Sequence, residues 1–149
     1  PSVGKGFMAV GMAMMSSMGG ASGAVFGTLF RSGGKPLKDS ESLDAAGAVT
    51  LFKEGTEGVM SRGGAKPGDK TMVDALLPAA EAGEKAAADS VSDALVAIAE
   101  GAESGKEASK DMIATMGRAK TLGEGSLGKA DAGAVSVAII AATMRDFAS

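Results

Sequence analysis

The chain contains neither cysteine nor histidine. Without cysteine there are no disulfides and no thiolate chemistry, which suits a cytoplasmic address. Without histidine the chain lacks the commonest general base and metal ligand, and cannot carry a phosphohistidine of its own. Aromatics are also scarce, with five Phe, no Tyr and no Trp. Bulk must come from Leu, Ile, Val, Ala and ten Met. The β-favouring residue types are thin and the helix formers abundant, so the composition predicts an all-α protein. The net charge is −3, with no basic cluster and few rings to stack bases, which argues against a nucleic-acid partner.

Glycine is abundant instead, at 23 residues. A glycine inside a helix costs about 1 kcal/mol relative to alanine. So many glycines in a helical chain must serve turns, close helix contacts or the approach of a ligand. A run without charge extends from Gly6 to Phe30, long enough to cross a bilayer. It holds six Gly and one Leu and is broken by Gly19-Gly20, so it reads as two buried helices and not as a membrane span. It is also too long, and preceded by too little charge, for a signal peptide.

Val3, Phe7, Val10, Met14 and Met18 recur at helical spacing while Met8, Met12 and Met15 cover another face, so the first helix is expected to be buried on more than one side. A second helix is expected over Ser22 to Arg31. A third carries Ala46, Val49, Phe52, Val59 and Met60. A fourth starts near Asp69 to Thr71 and is bent or interrupted at Pro78. Gly83 and the alanines after it are weakly specified. Val91 to Met116 reads as one long helix, with Leu95, Ile98, Met112, Ile113 and Met116 inward. Gly117 to Ala132 holds four Gly and reads as a long loop, and Ala132 to Met144 as a final core helix. No repeat and no second domain is evident, so residues 1–149 are taken as one domain.

Three segments precede helices, where unpaired N–H groups and a partial positive charge suit an anion. They are Gly19-Gly20-Ala21-Ser22-Gly23, Arg62 to Met72, and Gly117 to Ser136. Each alone has an ordinary explanation. The glycines make a turn, Asp69 and Asp131 cap helices, and Arg118 is a solvated charge at a helix end. Gly123, Gly125 and Gly128 fit a GxGxxG pattern, and Gly123 to Lys129 begins like a P-loop, but both motifs require a preceding strand and here a helix precedes.

As an ordered set these segments resemble a known family. The set comprises Ser16-Ser17-Met18-Gly19-Gly20-Ala21-Ser22-Gly23; Ser61-Arg62-Gly63 with Pro67-Gly68-Asp69-Lys70-Thr71-Met72-Val73-Asp74; and Gly117-Arg118-Ala119 with Leu122-Gly123-Glu124, Ser126, Gly128 and Asp131-Ala132-Gly133-Ala134. Over nearly the whole chain it is similar to the ADP-binding L subunits of bacterial dihydroxyacetone kinases. The resemblance implies an antiparallel helical barrel, of eight helices in the family and about six here, with the nucleotide held by loops at one end. The implied ADP/ATP contacts are Ala21, Ser22, Gly63, Met72 at the base, Arg118, Asp131, Ala132 and Gly133. No catalytic residue is implied, and no metal ligand.

The resemblance further implies phosphoryl transfer to dihydroxyacetone on a separate K subunit, by way of bound ADP charged by a phosphohistidine donor M subunit of the phosphotransferase system. Two departures accompany it. Ala132 stands where the family has Pro. The family's upstream loop of Asp and His that holds Mg is absent, and Pro1 falls about where the third family helix begins. The expectation is therefore a domain lacking the first two family helices, inactive by itself, and associating as a homo-oligomer through the apolar faces left uncovered. The neighbouring readings are the C-terminal nucleotide domain of an ATP-dependent dihydroxyacetone kinase, the nucleotide domain of a fatty-acid kinase, and a nucleotide-free helical interaction module.

Overall fold

A computed structural model describes all 149 residues as six α-helices and no strand. They are α1 (Val3–Ser17), α2 (Gly20–Gly34), α3 (Ala45–Gly63), α4 (Val73–Ala86), α5 (Val91–Ala108) and α6 (Ala132–Ala148). Short 3-10 segments cover Lys35–Leu37, Ser109–Asp111 and Arg118–Ser126. Side chains set most helix starts. Ser2 accepts from the Lys5 N–H at 3.1 Å, Asp44 from Gly47 at 2.7 Å, Ser90 from Asp93 at 3.1 Å and Asp131 from Ala134 at 2.9 Å. α3 stops at Gly64, whose φ of +71° is the left-handed conformation glycine adopts without steric cost.

Successive helices pack side by side, and α6 also lies against α4. Their contacts run in opposite senses along each pair. Gly11 meets Gly27 while Gly4 meets Gly34; Gly33 lies on Leu51 while Gly55 lies on Leu29; Gly101 lies on Pro78 while Gly105 lies on Asp74. The bundle is therefore antiparallel, and the close approaches answer the question of the glycines. A single core joins α2 to α6, with Leu76, Ile98, Val73 and Val137 fully buried. No helix is long and apolar enough to cross a membrane.

Four local expectations are corrected. First, α1 is buried on one side only. Gly4 and Gly11 are its buried residues, whereas Val10, Met12 and Met18 are exposed, because α2 covers one face and nothing in the chain covers the other. Second, α5 ends at Ala108 and not at Met116. The Ser109 hydroxyl donates back to the Lys106 carbonyl at 2.6 Å, the chain is extended by Met112, and Ile113 is exposed. Third, α4 starts at Val73 and continues without interruption through Pro78 and the weakly specified Gly83 to Ala86. Proline frees the Asp74 carbonyl four residues back, and that carbonyl faces Gly105 of α5. Fourth, the stretch after Gly117 is not all loop: Arg118–Ser126 is 3-10 with a kink at Gly123.

Up-and-down packing brings the starts of α2, α4 and α6 and the ends of α3 and α5 to one end of the bundle. At the other end, between α1 and the α5–α6 pair, lies an apolar groove of about 580 Å³ lined by Val3, Phe7, Leu95, Met144 and Phe147 among others.

Candidate nucleotide site

At the first end a cavity of about 460 Å³ opens between the start of α2, residues 70–72, the Arg118–Ser126 segment and the start of α6. Ligand pockets are commonly about 300–1,000 Å³. Seven of the eight residues expected to contact nucleotide line it: Ala21, Ser22, Met72, Arg118, Asp131, Ala132 and Gly133. They come from three segments up to 112 positions apart in sequence. The eighth, Gly63, is the last residue of α3, exposed, and outside this lining.

The walls differ in chemistry. Val25, Met72, Met116 and Leu122 give an apolar seat on one part, and thioethers are polarizable partners for a flat ring. Arg118 is exposed and forms none of the protein's ion pairs, which all lie elsewhere. Lys129 adds a second exposed cation. α2 starts on Gly19 with no side-chain cap. Its first-turn N–H groups, including those of Ala21 and Ser22, lack the Ser or Asp partner found at α1, α3, α5 and α6. Such an end favours an anion. At Gly133 an added Cβ would sit 3.1 Å from Met72 Cβ, so α6 can approach the Met72 turn closely because the position carries no side chain.

The acidic groups are engaged with the backbone. Asp131 caps α6 through its Oδ2. Burial pushes its carboxyl above the usual carboxylate range, against the opposing pull of the Ala134 and Gly133 N–H groups. Asp74 is buried, accepting from Gly68 N–H at 2.7 Å and Thr71 N–H at 2.9 Å. Asp69 does not cap α4, which begins four residues later. It accepts from Lys66 N–H at 3.0 Å and from the Thr115 hydroxyl at 2.9 Å, and these bonds hold its carboxyl below the usual range. No three His, Cys, Asp or Glu side chains converge on a common point. The lining thus combines an apolar seat, cations and an uncapped helix start, a set whose chemistry suits a nucleoside diphosphate.

Sequence reasoning assigned no nucleotide contact to Lys70, Met116, Leu122, Ser126 or Lys129, all of which line the cavity; Met116 read instead as the inward face of the fifth helix. Lys70 stood inside a quoted motif, but a lysine in a Gly- and Pro-containing loop reads as solvated; only the fold buries it.

A family model described as the DAK2 domain matches residues 1–146. The chain is 43% identical over 129 residues to the ADP-binding subunit DhaL of a PEP-dependent dihydroxyacetone kinase from Escherichia coli, covering 85% of this chain and 61% of that protein. It is 38% identical to an L-erythrulose 1-kinase of Mycolicibacterium smegmatis, over 87% of this chain and 23% of the kinase. The crystal structure of the C. freundii dihydroxyacetone kinase in complex with AMP-PNP and Mg2+ superposes with a TM-score of 0.66 at 25% identity, over 97% of this chain and 23% of that one. The chain thus spans less than two thirds of the length of these relatives.

Proposed function

Because the chain belongs to the DAK2 domain family, we propose that it is the nucleotide-holding domain of a dihydroxyacetone kinase, with ADP or ATP in the cavity at the α2–α4–α6 end. The observation that carries this reading is the convergence of three motif segments, separated in sequence, on one cavity with an apolar part and a cationic part. In this reading Met72 and its apolar neighbours seat the base. Arg118 and the first-turn N–H groups at Ala21 and Ser22 bind the phosphates, and the Asp131-Ala132-Gly133 turn closes the far side. Gly63 is retained as a contact made across the end of α3. When bound, the nucleotide supplies the transferable phosphoryl group. In this reading the chain's own residues bind and orient it.

The fuller reading is the role in the phosphotransferase-system kinase. The nucleotide stays bound, is recharged by a phosphohistidine M subunit, and passes its phosphoryl group to dihydroxyacetone on a K subunit. Its support is the similarity to the ADP-binding DhaL subunits of PEP-dependent kinases. A second reading, a nucleotide domain within a longer ATP-dependent ketose kinase, is favoured by the erythrulose kinases of which the chain matches under a quarter.

Calorimetric or NMR titration with ADP tests the nucleotide site. Without metal, the phosphates are neutralised by Arg118 and backbone N–H groups, so the dissociation constant is expected at about the millimolar level, ~4 kcal/mol of binding. A hydrogen bond to a charged group contributes about 1.5–3 kcal/mol, so Arg118→Ala should weaken binding by roughly 10- to 150-fold, in practice to nothing measurable. Thermal stability should hardly move, since Arg118 is exposed and forms no ion pair. A chain that gives no ADP-specific shifts, or an Arg118→Ala variant that binds as before, would refute the assignment.

A further inference from the structure

Lys70 is the one lysine of the chain that is buried, with 3% of its surface exposed, and the nucleotide reading gives it no task. Its backbone is in the left-handed region, at a φ of +61° that non-glycine residues seldom adopt. The turn that holds it there is clamped by Asp74, which binds the N–H groups of Gly68 and Thr71 on either side of it. So constrained, the side chain runs inward. Its ammonium donates to the carbonyl oxygens of Met112 at 3.2 Å, of Lys129 at 2.6 Å, and of Ser126. An ammonium has three N–H bonds, and three carbonyls take them all. Lys70 therefore solvates its own charge with backbone and has no donor left for a phosphate.

The Met112 and Lys129 carbonyls flank the Arg118–Ser126 segment on its two sides, and the third carbonyl belongs to its last residue. Apart from the Gly128 N–H, which donates to the Lys110 carbonyl at 2.7 Å just beyond it, that segment has few other ties. Arg118 is exposed, Leu122 is 60% exposed, and Ser126 is its one buried residue. The Ser126 hydroxyl accepts from Ala114 N–H at 3.0 Å and donates to Gly123 O at 2.7 Å, which ties the segment to the chain just before it and not to α4. The long-range ties from the turn before α4 are Lys70 and the Asp69–Thr115 pair.

We infer that Lys70 is a positioning residue for the cavity: it anchors the Arg118–Ser126 segment to the start of α4 and so fixes Arg118 over the site. This rests on the nucleotide reading for its consequence but not for its structural content. Removing the ammonium leaves three inward carbonyls without a donor, and the segment loosens while the helical core stays intact.

Lys70→Met, which keeps length and apolar contact but has no donor, tests this in the full chain by two measurements. Amide hydrogen exchange without nucleotide should accelerate at least tenfold across residues 112–129, with α2, α3 and α5 unchanged. ADP affinity should fall about tenfold or more. If the methionine variant does not fold, Lys70→Leu, which likewise has no donor, supplies the same comparison. Unchanged exchange at 112–129 overturns the inference. So does acceleration spread evenly through the core, which would make Lys70 an ordinary stabilising residue, and so does a loosened segment with undiminished ADP affinity. A wild-type chain that binds no ADP refutes the nucleotide reading instead, and the exchange data alone then decide whether Lys70 holds the segment.

Discussion

The same substitution at two helical glycines should change stability in opposite directions. Gly6 lies in α1, exposed, with nothing within 4 Å of where a Cβ would stand. Gly105 lies in α5, and a Cβ there would stand 2.1 Å from the Asp74 carbonyl oxygen and 2.8 Å from Ala75 Cα. Alanine in place of glycine favours a helix interior by about 1 kcal/mol. At Gly6 nothing opposes that gain, so Gly6→Ala should stabilise by about 0.5–1 kcal/mol. At Gly105 the obstructing atoms belong to the α4 backbone and cannot rotate away, so the helices must separate. Overpacking of this kind costs about 1–3 kcal/mol and sometimes more. The overlap is severe enough to place Gly105→Ala at the upper end. Net of the propensity gain, about 1–2 kcal/mol is lost. For a domain of this size each kcal/mol moves the melting temperature by about 2–4 °C. Calorimetry should therefore show Gly6→Ala melting a few degrees higher than the parent and Gly105→Ala several degrees lower. Because Asp74 clamps the turn that carries Lys70, Gly105→Ala should also accelerate amide exchange at residues 68–71. Equal stabilisation by both substitutions would refute the claim that the Gly101–Gly105 face exists for close packing on α4.

Two further outcomes are expected. The apolar groove between α1 and α6, with Phe147 at 93% exposure, should drive self-association; light scattering should show mass rising with concentration and Phe147→Ser reducing it, and a monomer at high concentration would contradict this. Asp69 and Asp131 should titrate on opposite sides of the ordinary aspartate value of about 3.9. Asp69, lowered by the Lys66 N–H and the Thr115 hydroxyl, stabilises the fold at pH above that value and loses the contribution as pH falls through its own midpoint. Asp131, raised chiefly by burial, binds its proton more tightly folded than unfolded, so its unfavourable contribution at neutral pH is relieved as pH falls through its midpoint. NMR titration of the two carboxyl groups checks both, and reversed midpoints would refute the assigned causes.

Much was legible in the sequence because it depends on local chemistry. Abundant Ala and Met, apolar residues at helical spacing and Ser or Asp before four of the six runs determine helices and most of their starts, so the all-α class, the number of helices and the Asp131 cap follow without coordinates. The ordered motifs likewise marked the residues that meet in the cavity, Gly63 excepted. What the tertiary structure alone decided is where a residue faces when its neighbours are distant in sequence. Met12 looks as buried as any helical apolar residue, yet it is exposed because no other part of the chain covers that side of α1. Met112, Ile113 and Met116 continue the pattern of α5, but a serine hydroxyl folds back on the helix end and the chain turns across the cavity. Pro78 should break a helix, and does not, because the carbonyl it frees packs against a glycine of the next helix. Lys70 should be solvated, and is not, because three carbonyls more than forty residues downstream receive its protons. Local propensity costs up to about 0.7 kcal/mol for ordinary residues, about 1 for glycine and about 3 for proline, and long-range contacts of this kind outweigh it; only the folded chain shows which contacts those are.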